Sequence, residues 1–308
     1  MAFTTSNPNF AFGGAANNKD VALKVFAGEV LTAFETKNVF MPLVTNRSIS
    51  SGKSAQFPVI GNLLTGSSNA DREHTPGQDV TADAISSGEQ VITINKRKYA
   101  SVFVDQFDEA MSHYEVRGQY ASEIGQNLAK KVDIAITAQL VKCAASATAS
   151  HKPGQPAFNP KVSLGLTTTA AAKAAFPDKL VEAMFDSQSK FDENDITGER
   201  TLVLRPEAYY LLVQSSKAVN RDWTDSNGGI DTGKVFKIAG VPVVMSNNLP
   251  TGTWGFMFTP QAVGVVKLMD IKSESNYIPE KLGTLLVSSY AMGEGVLNAA
   301  CSQQFTTT

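Results

Sequence analysis

Two β-prone segments held apart by a long polar stretch constrain this 308-residue chain more than any other feature. Residues 54–60, SAQFPVI, read as a short strand, and residues 89–104, EQVITINKRKYASVFV, are rich in Val, Ile, Thr, Tyr and Phe. Between them, residues 61–88 carry only four large aliphatic side chains. A structureless insertion of that length is abnormal inside a compact domain. Either the stretch is disordered, or the two strands continue outward as a two-stranded arm. An isolated hairpin is marginal in water, so such an arm needs a surface to lie on, and another subunit is the most economical one.

Gly52-Lys53-Ser54, just ahead of the first strand, has the ending of a phosphate-binding loop. That loop needs a glycine five residues earlier, where Arg47 stands, and a helix behind it, where Pro58 interrupts a β-prone run. A nucleotide-binding enzyme built on this tripeptide is therefore an alternative with two required parts missing. DENDITGERTLV (192–203) opens like a calcium loop, but Ile196, Thr197 and Val203 occupy the positions that need an oxygen ligand, a glycine and a glutamate. Gly293-Glu294-Gly295 begins like a dinucleotide fingerprint, yet Asn298 stands at the third glycine and no βαβ unit follows, so it reads as a strand bend. Asp71-Arg72-Glu73-His74, His113 and His151 form no set at ligand spacing. Neither G-x-S-x-G nor H-E-x-x-H occurs. No catalytic residue, cofactor site or metal site is expected, and the chain is not read as an enzyme.

Net charge, −2 from 27 basic and 29 acidic residues, excludes a wholly basic nucleic-acid coat. No apolar run approaches the roughly 18–20 residues of a membrane helix, and the N-terminus lacks the pattern of a secretion signal. Cys143 and Cys301 lie far apart outside any C-x-x-C and are expected to be reduced, buried thiols.

Helical period appears in three places. Residues 20–36 put Leu23, Phe26, Val30 and Phe34 on one face, with Asp20 as N-cap. That face either docks on the chain's own core or clasps a neighbour, which makes Phe26 and Phe34 interface candidates. From Val116 to about Ala147, Tyr120, Ile124, Leu128, Val132, Ile136 and Leu140 recur at three- and four-residue spacing, a long spine. Gly118 and Gly125 within it predict close packing against another backbone. A helix over 177–191 is expected to start at Pro177 and to bury Leu180, Met184 and Phe185. Residues 200–268 alternate strand and helix as an α+β unit, and a β-rich tail follows. Lys96-Arg97-Lys98, with Arg47, Lys53 and Arg72, form a basic set on the arm. It is read as pairing with acidic patches of neighbouring subunits in preference to a nucleic-acid stripe.

The order of these elements resembles HK97-fold phage capsid subunits. LKVFAGEVLTAF (23–34), NRSISSGKSAQFPVIG (46–61), YEVRGQYASEIGQNLA (114–129), AVGVVKLMD (262–270) and SYAMGEG (289–295) resemble the major capsid proteins of T7-like short-tailed phages. The resemblance implies an α+β, HK97-like fold with an N-terminal arm over 1–46 and an E-loop hairpin over 47–104. It further implies P-domain helices over 105–196, an A-domain over 197–268 and P-domain C-terminal strands over 269–308. It implies a virion shell protein, assembled in the host cytoplasm as pentamers and hexamers of an icosahedral head. Expected partners are other copies, a scaffolding protein, a portal and weakly held double-stranded DNA, with no membrane and no cofactor. A β-rich tail or adhesion module is the other alternative.

Overall fold

The structure, a computed structural model, describes residues 18–61, 76–77, 79, 87–111, 116–146, 161–164, 170–214 and 237–306. Arg72, His74, His113 and His151, and most of the stretch expected to form the arm's end, lie outside them. The fold is mixed α+β and divides into two units.

The first unit takes the N-terminal segment through Lys37, Arg97–Ala129 and Asp270–Tyr290. Helix α1 (Asn18–Lys37) buries Phe26, Val30 and Phe34. It begins two residues ahead of Asp20, which therefore lies in the first turn and is not the cap. Strand β4 (Arg97–Asp105) leads into a short helix α2 (Gln106–Met111), and the 30-residue spine α3 (Val116–Ala145) follows, its residues through Ala129 in this unit and the rest in the second. The spine buries Ile124, Leu128, Val132, Ile136 and Leu140, the stripe its sequence predicts.

The second unit takes Asn38–Lys96, Lys130–Met269 and Ala291–Thr308. Strand β1 (Thr45–Ser48) runs parallel to β10 (Val263–Ile278), from Thr45↔Gly264 to Ser48↔Lys267. The strand order of this four-stranded sheet is β1-β10-β11-β4, where β11 is Gly283–Val296; β4 and the residues of β10 and β11 from Asp270 to Tyr290 belong to the first unit. A six-stranded mixed sheet has order β5-β12-β9-β6-β8-β7. Its strands are β5 (Lys161–Ser163), β6 (Thr201–Leu204), β7 (Lys237–Ile238), β8 (Val241–Met245), β9 (Thr253–Phe258) and β12 (Ser302–Thr306). The two central strands, β6 and β9, are buried along their whole length, as continuous apolar runs must be. Helix α5 (Pro206–Val213) starts with proline in its first turn, where a missing N–H costs nothing.

Helix α4 (Ala170–Glu193) departs from expectation at both ends of its face. Pro177 lies inside it; the alanine-rich run ahead has high helix propensity and carries the helix back across the proline. Phe185 is 57% exposed, because the buried stripe follows Phe176, Leu180, Met184 and Phe191, and Phe185 is turned about 100° from Met184. The last strand expected in the α+β unit also differs. It continues to Ile278 as β10 and pairs in the four-stranded sheet.

Candidate assembly interface

Strands β2 (Ser54–Ile60) and β3 (Ser87–Thr93) form a separate two-stranded antiparallel sheet, in register from Ser54↔Thr93 to Ile60↔Ser87. The first rail coincides with the strand read from the sequence. The second β segment is two strands: after Thr93, the N–H of Ile94 donates to Lys53 O at 2.8 Å, and the chain re-forms as β4 in the other sheet. Gly52 has φ +103°, a backbone conformation that only glycine adopts without strain. The glycine of the phosphate-loop look-alike thus makes the turn into the arm.

The arm's root is seated in glycine. Ile92 is buried, and a β-carbon on Gly295 would come within 2.8 Å of its Cγ1. One on Gly264 would come within 2.9 Å of its Cδ1, and one on Gly293 within 2.7 Å of Thr93 O. Ala55, Ile92, Ile94, Val266 and Ala291 form the cluster that fills this seat. Gly293 and Gly295 therefore admit the arm's closest approach to β11, where the sequence suggested only a bend.

The basic residues of the arm are used in different ways. Arg47 is exposed, with Nη1 donating to Gln56 O at 2.5 Å and its guanidinium 5.7 Å from the Phe57 ring centroid. Lys53 and Lys96 are exposed at the root. Arg97 donates from Nε (2.9 Å) and Nη2 (2.6 Å) to Ser289 Oγ, and Lys98 Nζ stands 6.0 Å from the Tyr290 ring centroid. Both are engaged by their own chain, as are Phe26 and Phe34. Phe34 meets Tyr290 with ring centroids 6.4 Å apart, and the aromatic face of α1 is buried on its own unit. Arg72 lies outside the described residues. In the calcium-loop look-alike, Asp192 holds Arg200, whose guanidinium covers the Phe191 ring at 5.4 Å.

Sequence reasoning missed Asp133. It is fully buried on α3, and its carboxylate accepts from the backbone N–H of Phe40 (3.2 Å) and Val39 (3.4 Å) and from Asn248 Nδ2 (2.9 Å). One carboxylate thus pins the chain after α1 and the β8–β9 connection to the spine. The available signal was position, since Asp133 falls in line with buried Ala129, Ile136 and Leu140. Burial raises its pKa above the ordinary 3.8, against the lowering pull of those three hydrogen bonds. Burial, with the charge of Cys301 second, pushes the Cys143 thiol up to about 12. Both cysteines are buried and neither forms a disulfide.

Comparison with known proteins places this geometry. A family model described as "Gp10A-like: Major capsid protein" matches residues 62–254 and 251–305. The major capsid protein of Escherichia phage T7 is 29% identical over 319 residues, covering 89% of this chain and 88% of that protein. The major capsid protein of Enterobacteria phage T3 is 28% identical over 323 residues, covering 92% and 90%. The capsid structure of cyanophage P-SCSP1u superposes with a TM-score of 0.75 at 35% identity, covering 99% of both chains. The mature capsid of bacteriophage PhiM1, at 17% identity and TM-score 0.71 over 87% and 86%, shares the fold. The chain therefore belongs to the Gp10A-like major capsid proteins, a phage shell protein of HK97-like fold whose role is structural and not enzymatic.

Proposed function

We propose that copies of this chain form pentamers and hexamers that tile an icosahedral head around double-stranded DNA. A scaffolding protein guides assembly in the host cytoplasm, and a portal replaces one pentamer. The observation that carries this reading is the arm. Among the described residues its two strands pair only with each other, and one of their faces is exposed at the even positions from Ser54 to Ile60 and the odd positions from Ser87 to Thr93. A two-stranded ribbon of this kind is stable only against a further surface. The neighbouring subunit supplies that surface, with Arg47, Lys53, Lys96 and Arg72 meeting its acidic side chains. Residues 197–268 meet their copies around the capsomer axis. Head-to-tail contacts between identical subunits close into rings when the rotation closes. Many weak contacts then add up, since each 1.4 kcal/mol is about a tenfold change in equilibrium constant. A net charge of −2 suits a container whose wall must not hold packaged DNA tightly.

Co-expression with the scaffolding protein of the same phage, followed by sedimentation and negative-stain microscopy, tests the reading. Rings and closed hollow particles are expected. A monomer or trimer that persists at high concentration with scaffold present overturns it.

A further inference from the structure

We infer that the solvent-exposed face of the spine between Lys130 and Ala145 is the surface that meets double-stranded DNA, through its phosphates and without regard to sequence; the inference rests on the shell reading above. This part of α3 lies wholly within the second unit. Lys130, Ile134, Ala138 and Lys142 are exposed at successive four-residue steps, so they form one row, and exposed Lys131 stands beside it. Asp133 is the one acidic residue of the stretch, and it is fully buried. The exposed surface therefore carries three lysines and no carboxylate, in a chain whose 29 acidic residues outnumber its 27 basic ones.

Helix α4 of the same unit has the opposite character. Its exposed side chains include Asp178, Glu182, Asp186, Asp192 and Glu193, against Lys179. Charge sign is thus segregated between two helices, which favours a partner of one sign at the spine. Helix stability does not account for the lysines. Lys142 lies in the last turn, where a cation complements the carbonyl end, but Lys130 and Lys131 stand about four turns earlier, beyond that effect.

The chemistry of the row selects phosphate over a protein helix. A helix bound in a groove is held by large apolar anchors at i, i+3, i+4 and i+7. Ile134, 47% exposed, is the one large exposed apolar side chain of the stretch. Ala138 and Ala145 are short, which lets a phosphate backbone approach the helix between the lysines. From Lys130 to Lys142 the row is about 18 Å long at roughly 1.5 Å per residue. A duplex presents one charge per about 1.7 Å of its axis, so the row meets phosphate in any register. A few such contacts are weak singly and add up over many copies, in keeping with a wall that is near-neutral as a whole.

Ala138→Cys carrying a photoactivatable aryl azide tests this in DNA-filled heads, since the native thiols Cys143 and Cys301 are buried. Irradiation should attach DNA at this position, and not when the same probe is placed by Ser189→Cys on the exposed face of α4. Filled heads with no DNA attached at position 138, or with equal attachment at both positions, overturn the inference. So does a cross-link to protein in place of DNA, which would make the row a protein-docking face. Unassembled subunits give a second readout, with a short duplex as the probe at low salt. Lys130→Gln and Lys142→Gln should each lower the slope of log affinity against log salt by about 0.9, whereas Lys53→Gln on the arm should leave it unchanged. No binding by wild type, or a slope that the spine variants do not move, overturns the inference. A wild-type chain that forms no particles overturns the shell reading itself, whereas filled heads whose position 138 does not touch DNA overturn only the role of the row.

Discussion

Gly125 of the spine lies against the carbonyl oxygen of Val30 in α1: a β-carbon on the glycine would stand 2.6 Å from that oxygen and 2.8 Å from Ala33 Cβ. The partner is the helix α1 and not a strand. Because the obstructing atom is backbone, it cannot swing aside. Gly125→Leu should destabilise the subunit by about 1–3 kcal/mol, the usual cost of overpacking. Gly125→Ala should also lose stability despite its gain in helix propensity. Gly118 is the control: its nearest neighbour is the Glu29 carboxylate at 3.5 Å, an ordinary contact. Gly118→Ala should therefore gain up to about 1 kcal/mol. Thermal melts of the three variants separate these outcomes, and a Gly125→Ala subunit as stable as wild type would show the helices free to part.

Asp133 predicts a pH dependence of definite sign. Its folded pKa is raised above 3.8, so the folded chain holds this proton more tightly than the unfolded chain. The stabilisation from the protonated carboxyl is complete below 3.8 and is lost as the pH rises through the folded value. The stability difference between wild type and Asp133→Asn, measured by denaturant unfolding across that range, should favour wild type increasingly toward acid. A difference independent of pH would show that the carboxyl titrates normally. Asp133→Ala leaves the N–H groups of Val39 and Phe40 without their acceptor and should cost about 1–3 kcal/mol for each group so buried.

Replacing residues 62–86 by a short Gly-Ser linker separates folding from assembly. The replaced residues are poor in large apolar side chains, so the remaining subunit should keep its cooperative melt. Sedimentation should then show capsomers or free subunits in place of closed particles. Full-size shells from this variant would mean that the arm joins nothing.

Thiol chemistry gives a fourth check. With its pKa at about 12 and its side chain buried, Cys143 has almost no thiolate near neutral pH. An aromatic disulfide reagent should leave the folded subunit unlabelled and react only at the rate of unfolding. Labelling of Cys143 that is faster than unfolding would reveal an opening of the spine's packing.

What was legible in the sequence follows the reach of its periodicities. The spine and the first rail of the arm were read correctly because period 3.6 and period 2 are local properties of a run. Where two elements meet, the signal fails. Ile94 to Lys96 look like more of the same β segment, yet the chain there passes from one sheet to another, and pairing partners are not written in the alternation. Glycine was legible as a close approach in Gly125, but not what approached it. Phe26 and Phe34 were read correctly as one face, but not whether that face was spent inside the chain. Asp133 was passed over because a buried carboxylate depends on backbone donors nearly a hundred residues away in sequence.

The seat of Ile92 has a mechanical consequence. From Ser54 to Ile60 the described rail advances about 20 Å at roughly 3.3 Å per residue. The described ribbon stands on a root held between Gly52 at the turn and Gly264 and Gly295 under Ile92. Such a ribbon is a lever with a short inner limb, and any slack at the fulcrum is multiplied at the far end. A lattice of identical parts tolerates little angular error in each joint. Shaving the side chains from the fulcrum, so that one isoleucine bears directly on backbone, fixes the angle at which the described ribbon leaves its root.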